Sequence, residues 1–251
     1  MRETDFIGGF AKGLKVIEAF GEARPRLTIT DISKETGLDR ATARRCLLTL
    51  AELGYAAYDG KFFELTPKIL RLGHAYLSAT PLPLMVQPYL DQLSEQVGQS
   101  ASVSVLDGAE IVYVARAAQK RVMSINLMPG SRLPAYCASM GRVLLAALPE
   151  AEARAIVEAS DLKANTPFTK TEPDALLEEL ARVRRQGYAL IDQELEIGLR
   201  SIAVPLENTR GRVVAALNIG APAAHAAADE MVERYLPAMR AVQAALRPVL
   251  A

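Results

Sequence analysis

The stretch that most constrains this chain runs from Leu27 to Leu65, LTITDISKETGLDRATARRCLLTLAELGYAAYDGKFFEL. Two helix signals stand close together in it, with room for only a very short turn between them. Thr30 reads as the N-cap of the first, and Ile29, Ile32 and Ser33 give that helix a small inward face. Gly37 ends it, since glycine takes the left-handed conformation of a C-terminal cap at little cost. Asp39 then caps a second helix that ends near Gly54. On this second helix Ala43, Cys46, Leu47, Leu50 and Leu53 recur at three- and four-residue spacing and form an inward stripe. Arg40, Thr42, Arg44, Arg45 and Thr49 lie mainly outside that stripe, many of them in the first two turns.

Such a helix pair is the arrangement of a helix-turn-helix, whose second helix brings its N-terminal part to the bases of the major groove. Arginine can bond guanine in bidentate fashion, and Arg, Lys and Thr can hold phosphates. After Gly54 come Tyr55 to Tyr58, an Asp59-Gly60 turn and Lys61 to Leu65, which together read as a hairpin, or wing. The expected DNA-facing set is Thr28, Thr30, Arg40, Ala41, Thr42, Arg44, Arg45 and Thr49 on the helix pair, with Lys61 in the wing. The plainer reading, an ordinary helix pair with a solvated basic face, is weakened by the hairpin that follows it.

With 251 residues, half of them hydrophobic, the chain can build two compact domains. Lys plus Arg equals Asp plus Glu at 29 each, so DNA binding must rest on a local patch. Two cysteines, Cys46 and Cys137, and two histidines, His74 and His225, are too few for a disulfide framework or a standard zinc site. No metal or cofactor is expected. No signal peptide and no bilayer-length apolar run is legible, so a cytoplasmic protein without a membrane partner is expected.

Before the helix pair, residues 1 to 8 read as a loose arm, and Phe10, Leu14, Val16, Ile17 and Phe20 as an amphipathic first helix closing at Gly21. After it, Thr66-Pro67 opens a connector helix carrying Ile69, Leu70, Leu72, Tyr76 and Leu77. That helix packs on its own domain or also meets its twin in a dimer, as symmetric half-sites would want. Thr80 to Pro83 reads as the linker, dividing a first domain of residues 1–80 from a second of residues 81–251.

The second domain reads as α+β, an antiparallel sheet carrying helices. A helix from Leu84 to Val97 precedes strands at Ser100 to Leu106, Glu110 to Ala117 and Val122 to Leu127. A loop, Met128 to Pro134, leads to helices at Ser139 to Ala147, Glu150 to Ala159 and Pro173 to Gln186. Strands follow at Tyr188 to Asp192, Arg200 to Leu206 and Arg212 to Ile219. The last helix spans about Ala224 to Pro248, with a kink or break at Pro237.

A ligand site is most legible at Gly130 to Arg142, GSRLPAYCASMGR, where a small-residue turn enters a helix near Ser139. Helix N-termini offer free N–H groups to a carboxylate. Ser139 could cap the helix or bond the anion, and Arg132 or Arg142 could pair with it. Asn218 in an apolar strand, and Ser201 opening another, are polar groups that need partners. Catalysis has little support: Cys137 lacks a histidine in a marking context, Asp192, Glu194 and Glu196 read as solvent-facing, and no G-x-S-x-G or phosphate loop occurs.

FAKGLKVIEAF, LTITDISKETGLDRATARRCLLTLAELGY, FELTPKILRLG, LPAYCASMGRVLLA and ELEIGLRSIAVPL, in this order, resemble an IclR-type transcriptional regulator over residues 10 to 250. Within that family FIGGFAKGLKVIEAF and RLPAYCASMGRVLLA are most similar to the PcaR, PcaU and PobR branch, which controls aromatic-acid breakdown through the β-ketoadipate pathway. The resemblance implies a winged helix-turn-helix, a linker helix and a GAF-like effector domain. It also implies dimers, often paired into tetramers, on promoter DNA. RNA polymerase is a further expected partner, and no enzymatic role is expected. Carried over by motif, the effector pocket takes in Val122, Ile125, Leu133, Ser139, Met140, Gly141, Asp192, Ser201, Asn218 and Gly220. Arg132 and Tyr136 join it from the same loop. The effector it implies is a small organic acid, either an aromatic acid or β-ketoadipate. Ser-Met at the helix start, and Ser201 where a cysteine can occur, depart from members that bind very small keto acids. Two alternatives stay open: a non-aromatic carboxylate as effector, and a small-acid sensor or enzyme with an N-terminal interaction module.

Overall fold

The computed structural model describes residues 5–21, 24–79, 81–119, 127–225 and 227–250. By its internal contacts the chain divides into two units, Met1–Ala79 and Thr80–Ala251. Val122, Ile125, most of the strand expected at 122–127, the first four residues of the arm and Thr80 lie outside the described residues.

The first unit runs α1 (Gly8–Glu18), β1 (Arg26–Leu27), α2 (Ile29–Thr36), α3 (Arg40–Glu52), β2 (Ala56–Tyr58), β3 (Phe63–Leu65), a 3₁₀ turn (Pro67–Ile69) and α4 (Leu70–Ala79). Thr28, not Thr30, caps α2. Its Oγ1 accepts from Asp31 N at 3.2 Å, while Asp31 Oδ2 accepts from Thr28 N at 2.8 Å, a reciprocal capping box. The acidic residue three positions on selects the cap, and Thr30 is already helical. Gly37, at φ 69°, ends α2, and Asp39 Oδ1 accepts from Thr42 N at 2.9 Å to start α3. The core joins Val16, Leu27, Ile32, Ala43, Leu47, Leu50, Ala56 and Phe63.

Two positions on α3 reverse their expected sides. Leu53 is 53% exposed, because the helix ends at Glu52 and Leu53 stands as its C-cap beyond the core. Thr42 is 7% exposed and lines an apolar groove with Phe10, Leu14, Cys46, Leu53 and Leu72. The wing pairs Tyr58 with Phe63, so its loop holds the four residues from Asp59 to Phe62 instead of a two-residue Asp-Gly turn. Asp59 Oδ1 shapes that loop by accepting from the N–H groups of Lys61 and Phe62. A third short strand, β1, joins the hairpin in the order β1-β3-β2.

The second unit runs α5 (Leu82–Val97), β4 (Ser100–Asp107), β5 (Glu110–Ala117), β6 (Arg132–Pro134), α6 (Ser139–Ala147), α7 (Glu150–Ala159), α8 (Pro173–Gln186), β7 (Ala189–Asp192), β8 (Leu199–Glu207), β9 (Val213–Pro222) and α9 (Ala228–Leu246). Its antiparallel sheet has the order β6-β5-β4-β9-β8-β7. Residues such as Val103, Val204, Leu217 and Ile219 pack with α5 and α9 on one face. Tyr113, Ala203 and Ala216 meet α6, α7 and α8 on the other. This alternation follows from the two-residue period of strands.

Three expectations change here. Arg132 to Pro134 is not loop but an edge strand, pairing Arg132 with Val112 and Leu133 with Ile111. Leu82 and Pro83, read as linker, already belong to α5. The last helix begins at Ala228 and continues unbroken through Pro237 to Leu246. Pro237 lies on the exposed side, as does Glu233 four residues before it, so water can take the carbonyl that loses its N–H partner.

Candidate functional site

Neighbouring strands set a polar patch on the α6 side of the sheet. Ser102 stands opposite both Arg116 and Asn218, and one step along Gly220 stands between Ser100 and Ser201. Together with the opening of α6, Ser100, Arg116, Ser201, Asn218 and Gly220 of this patch line a small, partly open cavity. Its apolar walls are Leu127, Leu133, Ala138, Met140, Leu195 and Leu199, and its polar lining is Ser100, Tyr113, Arg116, Ser139, Ser201 and Asn218. An apolar pocket with a few convergent polar groups is the usual form of a small-molecule site.

Arg116 carries the cavity's positive charge. Its Nη1 donates to Ser102 Oγ at 3.0 Å, and among the described residues no carboxylate pairs with it. Burial pushes its pKa below the ordinary arginine value, which leaves the guanidinium charged at neutral pH. Burial likewise pushes the Tyr113 phenol up to about 12, so its hydroxyl stays protonated and able to donate. Ser139 Oγ, Asn218 Oδ1 and Ser104 Oγ are buried with no hydrogen-bond partner among the described residues. Buried polar atoms are rarely left so, and a polar ligand in the cavity would satisfy the two that line it, Ser139 Oγ and Asn218 Oδ1.

Of the expected pocket residues, Leu133, Ser139, Met140, Ser201, Asn218 and Gly220 line this cavity. Ser139 is the first helical residue rather than the cap, which is Ala138, so its hydroxyl is left for the cavity. Arg132 is elsewhere. It alternates with Leu133 in the edge strand and pairs on the surface with Asp107 at 2.8 Å and Glu110 at 2.7 Å. Tyr136 sits behind the wall, its hydroxyl donating to the Lys163 carbonyl at 2.6 Å. Gly141 is a packing residue, since a Cβ there would lie 2.2 Å from the Ala135 carbonyl oxygen. Asp192 is held by Arg200 through bonds of 2.6 and 3.2 Å, and that bonding keeps its carboxyl below the usual range. Arg142, considered as an anion partner, is 1% exposed and bound to Glu194, so that carboxylate does not face solvent either.

Arg116, Tyr113, Ser100 and Leu195 escaped the sequence reading. The alternation in SASVSVL, Ser100 to Leu106, does put Ser100, Ser102 and Ser104 on one face. Nothing local tells which residues of β5 stand beside them.

In the first unit, Arg40, Ala41, Arg44, Arg45 and Thr49 are exposed along α3, and Lys61 is exposed at the wing tip with Nζ over the Phe62 ring. Thr49 donates its hydroxyl to the Arg45 carbonyl at 2.8 Å, Thr28 is committed to the α2 cap, and Thr30 is half-buried. Thr42 does not belong to the exposed row. Its hydroxyl accepts from Arg45 Nη2 at 3.4 Å, on the groove side. No helix among the described residues is long and apolar enough to cross a membrane.

Residues 10–60 match the IclR helix-turn-helix domain, and residues 74–247 match the C-terminal domain of bacterial IclR transcriptional regulators. The Pca regulon regulatory protein of Pseudomonas putida is 48% identical over 240 residues, covering 95% of this chain and 82% of that one. A crystal structure from Rhodococcus sp. RHA1, described as a transcriptional regulator, superposes with a TM-score of 0.80 at 46% identity, covering 95% of this chain and 96% of that one. The inducer-binding domain of a PobR double mutant from Acinetobacter, solved with 3-hydroxybenzoic acid, matches with a TM-score of 0.63 at 35% identity, covering 67% of this chain and 98% of that one. The chain belongs to the IclR family of bacterial transcriptional regulators, with the family's helix-turn-helix in its first unit and the family's C-terminal domain in its second.

Proposed function

We propose that this chain regulates aromatic-acid catabolic genes, reading promoter DNA with α3 and the wing and sensing a small aromatic acid in the cavity of its second unit. One observation carries the ligand class: among the described residues Arg116 has no carboxylate partner, and the other described walls of its cavity are apolar or neutral. A carboxylate finds there a charge-assisted bond stronger than neutral donors supply. Leu127, Leu133 and Leu195 fit the faces of a ring, and the unsatisfied Ser139 and Asn218 suit a ring hydroxyl. The hydroxybenzoic acid bound by the Acinetobacter domain and the Pca regulon of the Pseudomonas relative support the same class. An open-chain dicarboxylate such as β-ketoadipate would instead place its second anion at the α6 N-terminus.

Exposed Phe10, Leu14, Leu53, Leu72 and Tyr76 on the first unit support self-association, with two winged domains serving two half-sites. The protein acts in the cytoplasm as a dimer or a dimer of dimers. Ligand alters transcription only in so far as it binds one arrangement of the winged domains better than another. The test is calorimetric titration of the full chain with protocatechuate, 4-hydroxybenzoate and β-ketoadipate, followed by band shifts on its own upstream promoter fragment. Saturable heat with one acid and a ligand-dependent shift are expected. No heat with any of them at millimolar concentration overturns the assignment.

A further inference from the structure

Beside the cavity lies a cluster of buried charge, Arg142, Glu179 and Glu194, none of which lines it. Arg142 leaves α6 one turn after Ser139, and its guanidinium is spent in three directions. Nε donates to the Tyr136 carbonyl at 2.9 Å, Nη1 to Glu194 Oε1 at 2.8 Å and Nη2 to Glu194 Oε2 at 2.6 Å. Tyr136 belongs to the segment that enters α6, and Glu194 to the loop from Gln193 to Gly198 between β7 and β8. Each segment supplies a wall of the cavity, Ala138 and Ser139 from the first and Leu195 from the second.

The loop does not hold its shape alone. Gln193 takes φ 58°, a left-handed conformation that a residue with a side chain adopts at a cost. Around it, Thr166 Oγ1 donates to the Gln193 carbonyl at 2.7 Å and Thr169 Oγ1 to the Glu194 carbonyl at 2.6 Å. Lys170 N donates to Glu194 Oε2 at 2.9 Å. Lys170 Nζ also reaches Glu179 at 2.8 Å, and Glu179 in turn lies 4.0 Å from Arg142. A buried ion pair adds little stability over apolar packing, so its contribution is better sought in geometry.

We infer that Arg142 and Glu194 are positioning residues for the effector cavity: without touching the ligand, their buried pair holds the Leu195 wall against the opening of α6. The ligand part of this inference rests on the small-acid reading above, whereas the structural part does not. The variants are Glu194→Gln, which keeps shape and removes charge, and Arg142→Lys, which keeps charge and loses the fork. The surface change Arg132→Ala serves as the control.

Hydrogen–deuterium exchange on the full chain reads the pair directly. About tenfold faster exchange in residues 193–198 is expected for Glu194→Gln, with α9 unchanged and Arg142→Lys intermediate. Wild-type exchange at 193–198 in Glu194→Gln, or acceleration spread equally over α9, overturns the inference. Stopped-flow release of 4-hydroxybenzoate adds the functional readout, with a dissociation rate raised roughly tenfold and a nearly unchanged association rate. Unaltered release alongside loosened exchange overturns the link to ligand retention. If the wild-type chain binds none of the acids, the small-acid reading fails by itself and the exchange result still decides the role of the pair.

Discussion

Tyr113 and Arg116 stand three residues apart in β5 and nevertheless face the same cavity, because the strand carries one extra residue where Val103 and Ser104 oppose it. Ser104 pairs with Tyr113 and Val103 with Ala115, which leaves Val114 unopposed. In a regular strand an odd and an even position would point to opposite faces. The bulge therefore brings a protonated phenol and a guanidinium with no carboxylate partner among the described residues into one lining.

Replacing Arg116 with Met should weaken binding of an aromatic acid by tenfold to a hundredfold, following from about 1.5–3 kcal/mol for a hydrogen bond to a charged group. DNA binding without ligand should be unaffected, since Arg116 belongs to the second unit. Calorimetry with 4-hydroxybenzoate checks this, and an unchanged Kd would remove the carboxylate from Arg116.

Arg44→Ala and Arg45→Ala should each weaken operator binding while leaving ligand titration intact. Both side chains are exposed on α3. If either holds a phosphate, the slope of log affinity against log salt should fall by roughly one unit for that variant. Band shifts at several salt concentrations measure it. A variant that binds the promoter fragment as tightly as wild type, with the same slope, takes that arginine out of the interface.

Gly141→Ala should destabilise the second unit by about 3 kcal/mol, the upper end of overpacking costs. The new methyl would meet the Ala135 backbone at 2.2 to 2.6 Å, whereas at Gly73 nothing lies within 4 Å. Gly73→Ala is the matched control and should be neutral or mildly stabilising, as alanine favours a helix. Urea unfolding separates the two, and equal midpoints would refute the close packing of α6 on Ala135.

Cys137 should make the fold sensitive to alkali. Burial pushes its thiol from 9.0 up to about 11, so the folded state favours the protonated form. A group raised in this direction contributes its stability fully below the unfolded value near pH 9 and loses it as pH rises through 11. Cys137→Ala should therefore show a shallower loss of stability than wild type between pH 9 and 11, read from urea midpoints at pH 8, 9.5 and 11. Parallel curves would mean that the thiol ionises freely in the folded chain.

Much of this molecule was legible as a string. Gly37, Gly98 and Gly187 end helices in the left-handed conformation, and Pro173 starts one, because caps and breakers act within a turn. Alternating small residues in β4 and the charged row along α3 were readable for the same reason. The cap of α2 fell at Thr28 instead of Thr30 because Asp31 completes a box from three residues away, still a local effect.

Spacings of a few residues are enough to set the order of elements, the helix-turn-helix with its hairpin, and the polar positions in β4, β8 and β9. Which distant groups meet is settled by the folded chain alone. It paired Arg132 with Asp107 and Glu110 on the surface and buried Arg142 against Glu194. It also left Arg116, by way of one unpaired residue in a strand, as the charge inside the cavity. Strand register and ion-pair choice depend on contacts between residues tens of positions apart, and no short window of sequence contains them.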